Sequence, residues 1–339
     1  MRKLVLILLI TWFSACESMV DLEIPDGYQS KLIIESYFSS DSIWSMRVGK
    51  SVHLLDTSDF SDLIVPNAQV IISGRNNFSD TLEYDGSGFY RSVHNHYPQS
   101  GINYTAEVIA PGFPGTISSS QAPLLRSELL EIRYISRDDS LQTDEYAIRF
   151  KVEDQSGPNY YTLALYQVAP VCYLENWGSI IRDDPKYSIR LWGLRFRSSY
   201  PDFHSYIETV DDPTIPELGF YDYGFPYFSD QLFEARTQEF QLRFDARYLN
   251  TIGPHFMIQL QALSVDLFAY ERSIVIQDLF ISEPNFSDKN PNLLYSNVQN
   301  GLGVFAGYTT KRHQVSADGG TWNEAALGVV RGELQDCEE

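Results

Sequence analysis

A chain of 339 residues, 43% apolar and 14% aromatic, has the composition of a folded protein long enough for two domains. Its formal charge of −20 at pH 7 repels phosphate backbones, which excludes nucleic acid as an expected partner and opposes electrostatic docking on anionic lipid. No stretch reaches the about 20 consecutive apolar residues that a membrane-crossing helix needs.

The chain opens with Arg2-Lys3, the apolar run Leu4-Val5-Leu6-Ile7-Leu8-Leu9-Ile10, and Phe13-Ser14-Ala15 leading into Cys16. A basic start, a short apolar run and small residues before a cut make a secretory signal over residues 1–15. A cysteine directly after the small residues is similar to a bacterial lipobox, with Phe13 where Leu is usual. Cleavage there leaves Cys16 as a lipidated, palmitate-type N-terminus, so a lipid bilayer is the expected partner of Cys16. Stable anchoring takes more than one acyl chain, at about 0.8 kcal/mol per buried methylene. An ordinary signal cut before Glu17 and an uncleaved anchor are the other readings, the second opposed by the shortness of the run. Cys172 and Cys337 are the remaining cysteines, and an oxidising compartment permits them to pair or to stay apart.

Residues 16–30 read as an acidic tether, with Glu17, Asp21, Glu23 and Asp26 beside Pro25 and Gly27. From Lys31 the pattern is β. Strands are expected at 32–38, 46–54, 68–73, 89–93 and 104–110, with the turn cluster Asp85-Gly86-Ser87-Gly88 between the third and fourth. Short strands at this spacing predict an antiparallel β-sandwich over 31–122, ending near Pro123.

A larger β-rich domain is expected over 123–335. Its strands are read at 129–135, 146–152, 160–166, 187–196, 239–244, 255–263 and, between glycines, 301–308. One helix is predicted at 263–279, with Leu267, Tyr270 and Ile274 on one face and Ser264 as its N-cap.

Several stretches, in this order, carry a resemblance. They are Asp21-Leu22-Glu23-Ile24-Pro25 after Cys16, then Lys31 to Tyr37, Val65-Pro66-Asn67-Ala68-Gln69-Val70, and Asp85 to Tyr90 with Gly101-Ile102-Asn103-Tyr104. In the second half Asn159-Tyr160-Tyr161, Leu263 to Tyr270 and above all Tyr295-Ser296-Asn297-Val298-Gln299-Asn300-Gly301-Leu302-Gly303-Val304-Phe305 follow. Together they resemble the Bacteroidota lipoproteins of domain-of-unknown-function family 4249. The resemblance implies an immunoglobulin-like (Ig-like) or carboxypeptidase-regulatory-like sandwich followed by a larger β-rich domain. It also implies an outer-membrane setting, often beside a TonB-dependent receptor, and no known activity or site residues. Many members end in closely spaced cysteines, whereas this chain has Cys337 alone there.

For chemistry, His94-Asn95-His96 is the best local metal candidate, since residues two apart on a strand share a face. Pro98 favours a turn instead, and no metal site or cofactor is expected. The pairs Asp138-Asp139, Asp183-Asp184 and Asp211-Asp212 read as turn chemistry rather than calcium or glycosidase carboxylates. No nucleophile elbow or phosphate-binding glycine loop is present. The expected recognition feature is aromatic and lies in an insertion at about 198–230. There Phe220-Tyr221-Asp222-Tyr223-Gly224-Phe225-Pro226-Tyr227-Phe228 holds six aromatics in nine residues, preceded by Tyr200, Phe203 and Tyr206. Long insertions are often functional and rigid aromatics dominate interfaces. The rings act either as an exposed binding surface for an unidentified ligand or as cover for a sheet edge.

These observations lead to the expectation of a non-catalytic, lipid-anchored outer-membrane protein. Its expected role is accessory or ligand-binding, with a TonB-dependent β-barrel receptor as partner. A structural or adhesive surface module is the alternative, and a cryptic hydrolase a more distant one.

Overall fold

Apolar and polar residues alternating between turn clusters dictate strands. The computed structural model describes residues 28–53, 56–123, 128–135, 145–154, 156–170, 189–193, 196–198, 227–233, 235–245, 255–282 and 294–316. The first half supplies β1 (Leu32–Phe38), β2 (Ser45–Lys50), β3 (Gln69–Ser73), β4 (Ser79–Gly86), β5 (Phe89–Arg91), β6 (Asn103–Ile109) and β7 (Thr116–Gln121). The second supplies β8 (Glu128–Ile135), β9 (Glu145–Glu153), β10 (Tyr160–Pro170), β11 (Ile189–Gly193), β12 (Phe196–Ser198), β13 (Tyr227–Ser229), β14 (Thr237–Asp245) and β15 (His255–Leu263). The helix α1 (Val265–Ser282) and the last strand β16 (Leu302–Ser316) follow. The chain is mostly β, with one α-helix among the described residues.

The larger sheet runs β11-β10-β15-β16-β1-β2-β5-β4-β3-β6-β7, with β13 on β10, and the smaller runs β12-β14-β9-β8. In the first half, β1 turns Leu32, Ile34 and Phe38 into a core with Trp44, Val70 and Phe305. The hairpin between β4 and β5 turns through Gly86 (φ 102°), Ser87 (φ 50°) and Gly88 (φ 86°), where glycine is favoured at the two wider angles. An antiparallel bridge from Ile117 of β7 to Gln299 brings the far end of this curled sheet back to the approach to β16. In the second half, Phe150, Val152, Phe240 and Leu242 of β9 and β14 share a core with Leu163, Leu165, Ile258 and Leu260 of β10 and β15. This is a sheet packed on a sheet.

The last described strand joins the two halves. β16 pairs antiparallel with β15 from His255↔Ser316 to Leu263↔Tyr308, and parallel with β1 from Ile33↔Leu302 to Phe38↔Gly307. Its Phe305 lies in the first core and its Val315 in the second. The boundary drawn at 122/123 is therefore bridged by the C-terminal strand, which a sequence-order division places wholly in the second half.

The stretch Tyr295 to Phe305 makes this seam. Gly303 has φ +100°, and a Cβ there would sit 2.0 Å from the Ile34 carbonyl oxygen. A Cβ on Gly307 would sit 2.4 Å from the Ala122 nitrogen. The Asn297 carboxamide closes the seam like a short strand. Its Oδ1 accepts the Phe305 N–H at 3.0 Å, and its Nδ2 donates to the Phe305 carbonyl at 2.8 Å.

Helix α1 covers the opposite face of the sheet. Leu267 and Phe268 pack on Leu263, Val304 and Ala306, and the Leu267 N–H donates to Ser264 Oγ at 3.2 Å, the expected N-cap. The helix begins at Val265 rather than 263, because Leu263 still pairs with Tyr160 and Tyr308 as strand. The single strand expected at 187–196 is two, β11 and β12, in different sheets.

Candidate functional site: tyrosines and carboxylates where the helix meets the sheet

Because side chains alternate along β1, Ile33, Glu35 and Tyr37 face away from the sandwich core. The register sets Glu35 beside Val304 and Tyr37 beside Ala306, so both stand at the margin of the strip that α1 covers. From the helix, Tyr270 tilts against Tyr37 with ring centroids 6.3 Å apart, and Glu271 accepts the Tyr227 hydroxyl at 3.0 Å. Three phenols and two carboxylates thus gather at one edge of the helix. Tyr37 is exposed, and the other four are half-buried.

Their electrostatics follow from that burial. The Glu271 carboxyl is pushed above the usual carboxylate range by burial first and by the charge of Glu35, against the Tyr227 hydrogen bond that opposes the rise. Burial, then the neighbouring carboxylates, pushes the Tyr37, Tyr227 and Tyr270 phenols up as well. At neutral pH the phenols therefore stay protonated donors. That arrangement suits hydrogen bonding to a polar ligand and does not supply a phenolate nucleophile.

An acid whose pKa is raised by folding stabilises the fold below its unfolded value, and that contribution is lost as pH rises through the raised folded value. Glu271→Gln keeps an acceptor for Tyr227 and removes the titration. Relative to the parent, its thermal midpoint is expected to move in the variant's favour as pH rises from the ordinary carboxylate value through the raised value of Glu271 in the fold. A difference that does not change with pH contradicts this account of Glu271.

The aromatic insertion divides at the limit of the described residues. Tyr200, Phe203, Tyr206, Phe220, Tyr221, Tyr223 and Phe225 lie outside them, as do Cys16, Cys172, Cys337 and the three aspartate pairs. Tyr227 and Phe228 are described: Phe228 departs from the exposed-surface reading and fits the reading as cover, while Tyr227 is half-buried. Phe228 is 0% exposed in the second core against Tyr161 and Phe240, because β13 pairs with β10 and turns it inward. Tyr227, on the other face, is a described residue of the insertion that reaches the cluster.

Beside β13 the chain is locked by a buried polar network. Asp154 accepts the Tyr161 hydroxyl at 2.5 Å and the Ala235 N–H at 3.1 Å, while Asp230 accepts the Asn159 N–H and Nδ2 at 2.9 Å each. Burial, with the charge of Asp154 adding to it, pushes the Asp230 carboxyl up. These contacts satisfy both carboxylates from within the protein, as a fold-fixing network requires.

The histidine pair goes another way. His96 Nδ1 lies 3.1 Å from Asp80 Oδ2, whose side chain is 0% exposed, in a geometry that makes an electrostatic contact rather than an aligned hydrogen bond. The His94 ring lies 5.6 Å from that of His96. Among the described residues no group of three or more His, Cys, Asp or Glu side chains is placed to hold a metal ion. His96→Ala is expected to destabilise the protein, because it strips the buried Asp80 carboxylate of the imidazole 3.1 Å from it. Asp80→Asn should abolish most of that cost in a double-mutant cycle followed by urea unfolding. Additive effects would show that the two side chains do not act on each other.

Glu35, Tyr37, Tyr270 and Glu271 were not singled out as site residues in the sequence. In sequence Tyr270 belongs to the apolar helical face, and the alternation of Glu35 and Tyr37 with apolar neighbours is the local signal of an outward pair.

No curated protein matches the chain. The profile of a family described as "Domain of unknown function (DUF4249)" matches residues 17–314, which takes in every described element up to the end region of β16. The chain belongs to that family.

Proposed function

We propose that the protein is a non-catalytic, lipid-anchored outer-membrane subunit that captures a ligand or serves as an accessory beside a TonB-dependent transporter. The observation that carries this reading is the leader that ends at Cys16, with its basic start, short apolar run and small residues before the cysteine. Two features support it further: the likeness to lipoproteins of this family, and a body whose half-exposed phenols and carboxylates offer donors and acceptors to a polar ligand.

Capture of the protein from gently solubilised native membranes tests the accessory role. A β-barrel receptor should accompany it, identified by mass after crosslinking. Recovery of the protein without any such receptor sinks the transporter reading. The adhesive alternative is favoured by large rings left in the open, such as Phe60 at 61% and Tyr97 at 53% exposure. It predicts binding to surface polymers irrespective of a transporter.

A further inference from the structure

We propose that β1 and β16 form a mechanical clamp that resists tension between the two ends of the chain; its relevance in the cell rests on the anchored reading above. Among the described residues β1 is the first strand and β16 the last. They run parallel and adjacent over six residue pairs, from Ile33↔Leu302 to Phe38↔Gly307. Tension on the tether draws β1 back toward its start, while tension on the segment after Ser316 draws β16 forward toward its end. In a parallel pair these two pulls are opposed along the strand axis, so the slanted hydrogen bonds are loaded together, in shear. Neither strand is a free edge: β2 flanks β1 and β15 flanks β16, both antiparallel.

Three side-chain features tighten the clamp. Gly303 sits against the Ile34 carbonyl and Gly307 against Ala122, so sliding by one residue would bring a Cβ into space that admits none. The Asn297 carboxamide grips both backbone polar groups of Phe305. Phe305 itself is held between Phe38 at 4.7 Å and Trp44 at 6.2 Å. Slippage must break these contacts at once, which raises the barrier that governs forced unfolding.

The test is single-molecule force spectroscopy on the chain from residue 17 to Glu339, which lacks Cys16, in two pulling geometries. In the first, handles at the two ends load β1 and β16 in shear. In the second, one handle stays at the N-terminus and the other is attached through Leu294→Cys, an exposed position before β16, so that both strands are peeled from their starting ends. Both measurements use a chain carrying Cys172→Ser and Cys337→Ser, which keeps attachment specific. The clamp predicts a several-fold higher unfolding force end to end than in the peeling geometry. Equal forces, or a higher force on peeling, overturn it. The outcome does not depend on whether Cys16 is lipidated, so failure of the clamp and failure of the anchored reading are separate results.

Discussion

Gly303→Val is expected to leave the chain unable to fold into its native structure, with loss of a cooperative thermal transition and of near-ultraviolet circular dichroism. Two independent penalties act at this position. The backbone has φ +100°, which a β-branched residue adopts only under strain. The new Cβ would also stand 2.0 Å from the Ile34 carbonyl oxygen, a main-chain atom of the paired strand that cannot swing aside. Relief requires β16 to move away from β1, and that opens both cores, because Phe305 and Val315 belong to one each. The combined effect exceeds about 4 kcal/mol, a large share of the 5–15 kcal/mol that stabilises an ordinary domain. A variant melting within about 2–4 °C of the parent, the shift that 1 kcal/mol gives in a chain of comparable size, would contradict the seam as described.

A fragment of residues 28–122 is expected to fail as a folded unit, although the sequence pattern marks it as a complete sandwich. Without β16 the fragment exposes β1 as an open edge of apolar residues, the kind of strand that invites aggregation. It also loses Phe305, which is 0% exposed in the core that the fragment would have to close. Removing a buried phenylalanine side chain alone costs about 3–5 kcal/mol. The bridge from Ile117 to Gln299 and the bond from Ser118 Oγ to the Asn297 carbonyl go with it. Joining residues 294–316 to the fragment through a flexible linker should restore a cooperative melt and dispersed amide resonances. A fragment that folds cooperatively without them would show that the first core is self-sufficient.

The elements that were legible in the sequence are those whose inward positions are apolar. Leu32-Ile33-Ile34 and Tyr104 to Ala110 announced β1 and β6 by composition and alternation. β7 escaped because its inward residues are Thr116, Ser118 and Ser120, buried hydroxyls that mimic a loop in any hydrophobicity pattern. They are tolerated inside because each finds an acceptor: the Val108 carbonyl, the Asn297 carbonyl and Asp266. β4 was missed for a similar reason, since Asp80 occupies one of its buried positions. β16 runs on to Ser316 through Thr309-Thr310-Lys311-Arg312, residues that read as solvated but pair along β15.

Pairings between distant residues had no local signal at all. Nothing around Ile34 indicates that Gly303 packs on it, and nothing in Glu35 or Tyr37 announces Tyr270 and Glu271. The N-cap at Ser264 was legible because capping is local chemistry. For Phe228 composition leaves surface and cover equally open, since its neighbours in sequence are aromatic, and strand pairing alone decides that it faces the core.

The account of what the protein does rests on its attachment through Cys16. Mass analysis of the N-terminal peptide from protein extracted out of native membranes measures that attachment directly. The peptide is predicted to begin at Cys16 and to carry acyl chains on that residue. A peptide that begins at Glu17, or that retains Met1 and bears no lipid, would contradict the account.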